Sequence, residues 1–277
     1  MLNRVIQVTI GTKVITGTGD YNGFKISVEV QKSLFGAPNY AQVVLTNLSR
    51  ETRNTIRERH LPMTIYIGHE DTEMIMLFSG TTTSAIPHQN GPDVEMTVTG
   101  MDGIIGILYS AQQKTYEGPY PVATVVEDLA GTMSGVEVGT IDVTGELKEK
   151  GRALSGPTQQ LLDSLGKEYL FNWSVQNGIF QAVDNTKSLS TSYIISPETG
   201  LQSAQPVFSG PFMVQSAVEI QALINPRIKP GELVNLQSNL DPDINKEYQV
   251  HNIDFSAGTH DDNWGMSIQS FTIGAVW

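Results

Sequence analysis

Two prolines in the segment Leu223-Ile224-Asn225-Pro226-Arg227-Ile228-Lys229-Pro230-Gly231-Glu232-Leu233-Val234 constrain this chain more than any other feature. Proline fixes φ and has no N–H to donate, so Pro226 and Pro230 exclude the connector from a helix interior and from a central strand. Gly231 then supplies a turn before a strand beginning at Leu233. The same punctuation recurs at Ile195-Ser196-Pro197-Glu198-Thr199-Gly200-Leu201, and no catalytic motif interrupts the last third of the chain. Short strands joined by stiff connectors describe a part whose task is its shape.

The first ~110 residues carry the period-two alternation of half-buried strands. Phe24, Ile26, Val28 and Val30 alternate with Lys25, Ser27 and Glu29, and Ala41-Val43-Leu45, Met63-Ile65-Ile67 and Val94-Met96-Val98 repeat the pattern. Gly17 to Gly23, Gly36 to Asn39 and Pro87 to Pro92 read as turns between them. One helix interrupts, with Ser49 as N-cap, Glu51 in the first turn, Ile56 as the apolar contact and Arg50, Arg53, Arg57 and Arg59 outside, ending near His60-Leu61-Pro62.

From Ser110 the period changes. Val122, Val125, Val126 and Leu129 after Pro121 predict a helix closed by Gly131. A second follows Ser155-Gly156-Pro157, with Leu161, Leu162 and Leu165 inward and Gly166 at its end. Asn177-Gly178 between Phe171–Gln176 and Ile179–Val183 predicts a type I′ hairpin. The remainder returns to strands at Met213 to Ile220, Glu232 to Gln237, Glu247 to Phe255 and Trp264 to Ile273, the third with a bulge between Val250 and Ile253. The expected fold is mainly β with an α+β insertion. Two β-barrel or sandwich domains, 1–109 and 189–277, flank a small α/β module at 110–188.

Composition narrows the function. The chain has no cysteine, which removes disulfides, thiolate metal sites and a Cys nucleophile. With 17 Lys and Arg against 29 Asp and Glu, the net charge is −12, so phosphate backbones are repelled. No secretory signal opens the sequence and its apolar runs are too short to span a bilayer, giving the expectation of a soluble, non-secreted protein with no membrane partner.

Candidate chemistry is thin. Asp241-Pro242-Asp243-Ile244-Asn245 copies the first ligand spacings of a calcium loop, but Lys246 stands where Gly is needed and Asn252 where a bidentate Glu belongs. His260-Asp261-Asp262 and His69-Glu70-Asp71-Thr72-Glu73 read as loops, and Glu127-Asp128 as a solvated helix face. No nucleophile elbow, Walker A or dinucleotide fingerprint is present. The expectation is no enzyme, no catalytic residue, no metal and no cofactor. Arg50, Arg53 and Arg57 share one helix face and are candidate subunit or partner contacts, as is Trp277. Trp173 and Trp264 are expected in the core.

An ordered set of segments resembles the baseplate hub proteins of contractile-tailed bacteriophages, the late tail-gene family related to tail tube proteins. It comprises Phe24–Val30, Pro38-Asn39-Tyr40-Ala41, Asn47–Arg53, Gly100-Met101-Asp102-Gly103, Trp173–Gly178, Ser196–Leu201, Leu223–Pro226 and Gly258–Trp264. The resemblance implies a homotrimer in which each subunit gives two tail-tube-like β-domains, making a pseudo-sixfold ring. That ring joins the tail tube protein to a trimeric central spike protein, with the tape measure protein and other baseplate proteins as further partners. DNA passes through the lumen without specific binding, and an acidic wall suits such a conduit. The location implied is the virion tail, assembled in the host cytoplasm. Leu201–Pro206 departs from the glycine-rich loop associated with the family. The alternative readings are a tail-associated cell-wall hydrolase or glycan-binding module, and the hub of a tailocin or secretion system.

Overall fold

The computed structural model describes residues 3–20, 22–147, 151–189, 191–209 and 214–272. Met213, Ile273 and Trp277, named above, lie outside them. The chain opens with β1 (Arg4–Ile10), β2 (Lys13–Thr18), β3 (Ile26–Ser33), β4 (Tyr40–Thr46), α1 (Arg50–Ile56), β5 (Pro62–His69), β6 (Ile75–Asn90) and β7 (Asp93–Met101). Next come α2 (Ile104–Tyr109), β8 (Ala111–Glu117), β9 (Tyr120–Pro121), α3 (Val122–Ala130), β10 (Glu137–Asp142), β11 (Glu146–Leu147), β12 (Gly151–Pro157), α4 (Thr158–Tyr169), β13 (Phe171–Gln176) and β14 (Ile179–Asp184). It closes with β15 (Ser192–Ile195), β16 (Leu201–Ser209), β17 (Val214–Leu223), β18 (Leu233–Leu236), β19 (Glu247–Gly258) and β20 (Trp264–Phe271). The fold is mainly β with an α+β insertion.

The strands before α2 and after β14 join one 13-stranded sheet, in which β16-β17-β20-β19-β3-β4-β7-β6-β5-β1-β2 follow one another. The seam is the antiparallel pairing of β19 with β3, from Asn252↔Ser33 to Gly258↔Ser27. One hydrophobic core underlies both parts, from Ile6 and Val28 to Tyr248 and Ile268. A second core, from Ile107 to Ala182, belongs to the insertion, where α3 and α4 pack against the sheet β10-β14-β13.

β19 explains the predicted bulge. Its first residues pair with β18, Gln249 opposite Leu233, and from Asn252 onward the same edge pairs with β3. The register against β20 shifts between Val250 and Asn252, leaving His251 as the extra residue. The bulge therefore marks where one strand changes neighbour, a local bend that regular pairing would not allow. Leu34 donates its N–H to the His251 carbonyl at 2.8 Å and closes the joint.

Several sequence expectations are corrected. Pro87 lies inside β6, opposite Met96, and the turn is confined to the residues between Asn90 and Asp93. Proline is tolerated there because β6 pairs with β5 only up to Thr81, so its outer edge is unpaired beyond that point. Phe24 is exposed and outside the buried alternation. Helix α1 stops at Ile56, short of His60. Gly131 caps α3 in a right-handed conformation. Gly166 sits within α4, which continues to Tyr169 and ends on Leu170 in the left-handed region, φ 58°. A Cβ on Gly166 would lie 2.7 Å from the Phe171 carbonyl, so close approach rather than termination requires glycine there. Leu201–Pro206 is strand β16, not a loop.

Other expectations hold. The Ser49 side chain accepts from Thr52 N–H. Asn177 and Gly178 turn the β13–β14 hairpin at φ 55° and 83°. Trp173 and Trp264 are buried. Apart from those expectations, among the described residues no helix is long and apolar enough to cross a membrane, which says nothing of strands.

Candidate functional site

Alternation along each strand sends apolar side chains to the shared core and leaves the other face open. On that open face, registers place Gly265, Ser256, Glu29, Gln42, Thr99 and Ser84 in one cross-strand row over β20, β19, β3, β4, β7 and β6. A neighbouring row runs Gln221, Ser267, Asp254 and Gln31. Beyond it, Gln205 and Ser203 of β16 stand opposite Glu219 and Gln221 of β17. Eight strands from β16 to β6 thus make a surface about 34 Å wide at the usual strand spacing.

Its chemistry is uniform. Besides Gly265, the side chains on these rows are Gln, Ser and Thr, with Glu29 and Asp254 exposed and Glu219 half-buried. Among the described residues of these eight strands, none of those facing outward is Lys or Arg. Lys32 is the one base at a central position of β3 and points into the core, 2% exposed. Lys25 stands just before β3 begins. Among the described residues the face carries no Lys or Arg that would neutralise phosphates.

A buried polar junction holds the insertion against this sheet. Asp102, fully buried, accepts N–H bonds from Asn177 and, at 2.9 Å, from Gly178 of the β13–β14 hairpin. The Asn39 amide donates to the Val175 carbonyl at 2.8 Å and to Gln176 Oε1 at 2.9 Å, while Gln176 Nε2 donates to the Ser33 carbonyl. Asn177 Oδ1 accepts from Lys32 Nζ and from Ser79 N–H, each at 3.2 Å. Burial pushes the Asp102 carboxyl up to about 6, against the pull of the two backbone N–H groups and the Lys32 charge. Burial likewise lowers the Lys32 ammonium to about 8, with Asp102 opposing. Each of these donor groups has at least one acceptor, so the junction fixes orientation as well as proximity.

Sequence reasoning missed this network. Asp102 and Asn177 read only as turn residues, although extending the Ile26-Val28-Val30 alternation by one step places Lys32 inside.

The other candidates separate. Arg50 and Arg53 lie on α1 and Arg57 is its C-cap, with Arg50 and Arg57 exposed, and no ion pair forms to them among the described residues. The Asp241 carboxylate caps Asp243 N–H in a single 3₁₀ turn, and Asp261 Oδ1 accepts from Asn263 N–H. His69 packs against the Trp264 ring at 5.4 Å, and Glu73 pairs with Arg227. Asp128 is not merely solvated: it accepts from Lys114 Nζ at 2.5 Å and Tyr116 Oη at 3.1 Å. Among the described residues no group of three or more His, Asp or Glu is arranged to hold a metal.

The sequence pattern of the baseplate hub gp41 family matches residues 5–270. This chain belongs to that family. No curated protein matches this baseplate hub sequence. Solved structures share its fold at low identity. The 43 kDa tail protein of prophage MuSo2 from Shewanella oneidensis is 12% identical over 96% of each chain, TM-score 0.70. The tail protein from Neisseria meningitidis MC58 is 10% identical over 98% of this chain and 97% of its own, TM-score 0.70. The E. coli c3393 protein is a component of the type VI secretion system, described as structurally similar to T4 tail proteins gp27 and gp5. It is 11% identical over 97% of this chain and 77% of its own, TM-score 0.68. By its family the chain is a structural baseplate hub protein.

Proposed function

We propose that three copies of this hub close into a ring that joins a sixfold tail tube to a trimeric central spike and lets DNA pass through its bore. The reading assigns residues 1–109 and 189–277 to two tube-like β-domains and 110–188 to a module decorating the ring. Its main support is the continuous sheet face from β16 to β6. The β3–β19 seam makes one wall of strands from both ends of the chain, and among the described residues that wall carries Glu29, Glu219 and Asp254 but no outward Lys or Arg. A wall with Lys or Arg rows would hold phosphates through counterion release; this one lets the polymer slide.

The role is structural, without catalysis. Arg50, Arg53 and Arg57 are assigned to contacts with an acidic neighbour, and the paired tube, spike and tape measure proteins are its partners in the virion, after assembly in the host cytoplasm. Native mass spectrometry of the purified chain, alone and with tube or spike protein, tests the stoichiometry. Three hub copies per complex are expected; a monomer or an even-numbered ring in every mixture rejects the proposal.

A further inference from the structure

The sheet repeats itself. Its run β16-β17-β20-β19, from the last third of the chain, matches the run β3-β4-β7-β6 from the first, strand for strand. Each run ends on a strand with a bulge: the register shifts between Val250 and Asn252 in β19, and between Thr82 and Ser84 in β6. Before its bulge each of these strands pairs with a lateral neighbour, β19 with β18 and β6 with β5. The closing bonds correspond too, Val250 N–H to the Glu232 carbonyl at 2.9 Å and Thr82 N–H to the Leu61 carbonyl at 2.8 Å.

The two runs differ in one respect. Past its bulge β19 pairs with β3, whereas among the described residues no strand pairs with the same edge of β6. The counterpart of β3 is β16, whose outer edge at the end of the sheet is also unpaired among the described residues. Rows of free N–H and C=O groups are a template for another strand, and β16 carries no charged side chain to repel one. We infer that β16 of one copy adds to β6 of the next, reproducing between chains the β3–β19 seam found within one.

The repeat fixes the register. Followed through their pairings, Val207 and Pro206 take the places of Gln31 and Val30, and Ile86 and Pro87 those of Asp254 and Phe255. Asp254 pairs with Gln31 and Phe255 with Val30, so Ile86 falls opposite Val207 of the neighbouring copy, and Pro87 opposite its Pro206. The side chains suit this placement. Ile86 and Val207, 61% and 44% exposed, stand on the polar open face two residues beyond Ser84 and Gln205, and the seam covers each with the other. One step on, Phe208 at 48% exposed falls opposite the small Ala85.

The prolines suit it as well. Thr259 N–H bonds the Ile26 carbonyl, so every second pair from there is hydrogen-bonded, Val30 with Phe255 included. At that level the seam between chains has Pro206 and Pro87, neither of which has an N–H to send across. Setting them opposite each other confines the loss to one level and leaves Ala85 with Phe208 and Gln89 with Ala204 to bond on either side. The outer seam is a weaker form of the inner one, and each free chain keeps a blunted edge. The inference rests on the ring reading for the number of copies, but not for the edges or the register.

The chain has no cysteine, so engineered thiols report cleanly. Ile86→Cys with Val207→Cys sets two thiols in a non-hydrogen-bonded pair, with Cα atoms about 4.5 Å apart and within disulfide reach. Ile86→Cys with Ser203→Cys, displaced along β16, is the control. Under oxidised glutathione, alone and with tube or spike protein, bonds between chains should form at least tenfold faster for the first pair. Equal rates, or no bond between chains in any mixture, overturn the seam. The ring reading fails separately: linked species that run past three copies keep the seam and reject the ring. Three-copy complexes without the 86–207 bond keep the ring and reject the seam. A second measurement needs no thiol. Pro206→Val, which copies Val30, should lower the protein concentration for half-assembly about fivefold, the effect of one added backbone hydrogen bond. An unchanged or higher concentration overturns the facing prolines and the register with them.

Discussion

The buried Asp102 carboxylate accepts the Gly178 N–H at 2.9 Å, tying the end of β7 to the tip of the β13–β14 hairpin. Through this bond and its companions on Asn39 and Lys32, a module with its own core is oriented on a sheet to which it contributes no strand. Two consequences concern pH.

Burial raises the folded pKa of Asp102 to about 6, above the ordinary value of 3.8. The folded state therefore binds more protons between those values. Stability from this group is present below 3.8 and is lost as pH rises through about 6. Relative to Asp102→Asn, the wild-type thermal midpoint should improve on acidification from pH 7 to 5. Full titration is worth on the order of 3 kcal/mol. A difference that stays flat across that range contradicts the assignment.

His251 works in the opposite sense. Burial lowers its folded pKa to about 4 from 6.5, so the unfolded state binds more protons in between and stability falls as pH drops through that window. His251→Gln, neutral throughout, should lose less stability than wild type between pH 6.5 and 4.5, measured by denaturant unfolding. Because the two groups oppose each other, each is read against its own variant rather than from the wild-type profile.

Gly36, in the loop after β3, lies against the module's Trp173: a Cβ there would come within 2.4 Å of the indole. The indole is also held by its N–H bond to Asp163 at 2.9 Å and by stacking on Phe180. Gly36→Ala should force the ring aside and cost about 1–3 kcal/mol. Urea titration should show the loss, with an altered native tryptophan emission.

The strands, the Ser49 cap, the Asn177-Gly178 turn and the bulge in β19 were legible because each is set by residues adjacent in sequence. What stayed hidden depends on distant neighbours. β16 reads as Leu-Gln-Ser-Ala-Gln-Pro-Val-Phe-Ser, with a proline, and is a strand because it sits at the sheet edge beside β17. β15 pairs in parallel with β18 across a long connection, which no local pattern announces. Gly166 looked like a helix end and is a contact with Phe171. The junction around Asp102 was illegible for the same reason: its donors come from Asn39, Asn177 and Gly178, far away in the chain.

The outward sheet face gives a direct electrostatic prediction. Wild type should not retain a double-stranded DNA fragment at ~0.15 M salt. Glu29→Lys, Glu219→Lys and Asp254→Lys combined should bind it, with log K falling by about 0.9 per phosphate neutralised for each decade of salt. Fluorescence anisotropy over a salt series reads both; a variant as inert as wild type shows that the three residues do not share one surface.

The central claim, that this face lines the bore of a ring, is tested most directly by a cryo-EM reconstruction of the hub assembled with its tail tube. The account predicts three copies around one axis, with Glu29 and Asp254 facing the lumen and Arg50 and Arg57 turned away from it. A reconstruction with the β16-to-β6 face on the outside, or with the arginines of α1 lining the channel, contradicts it.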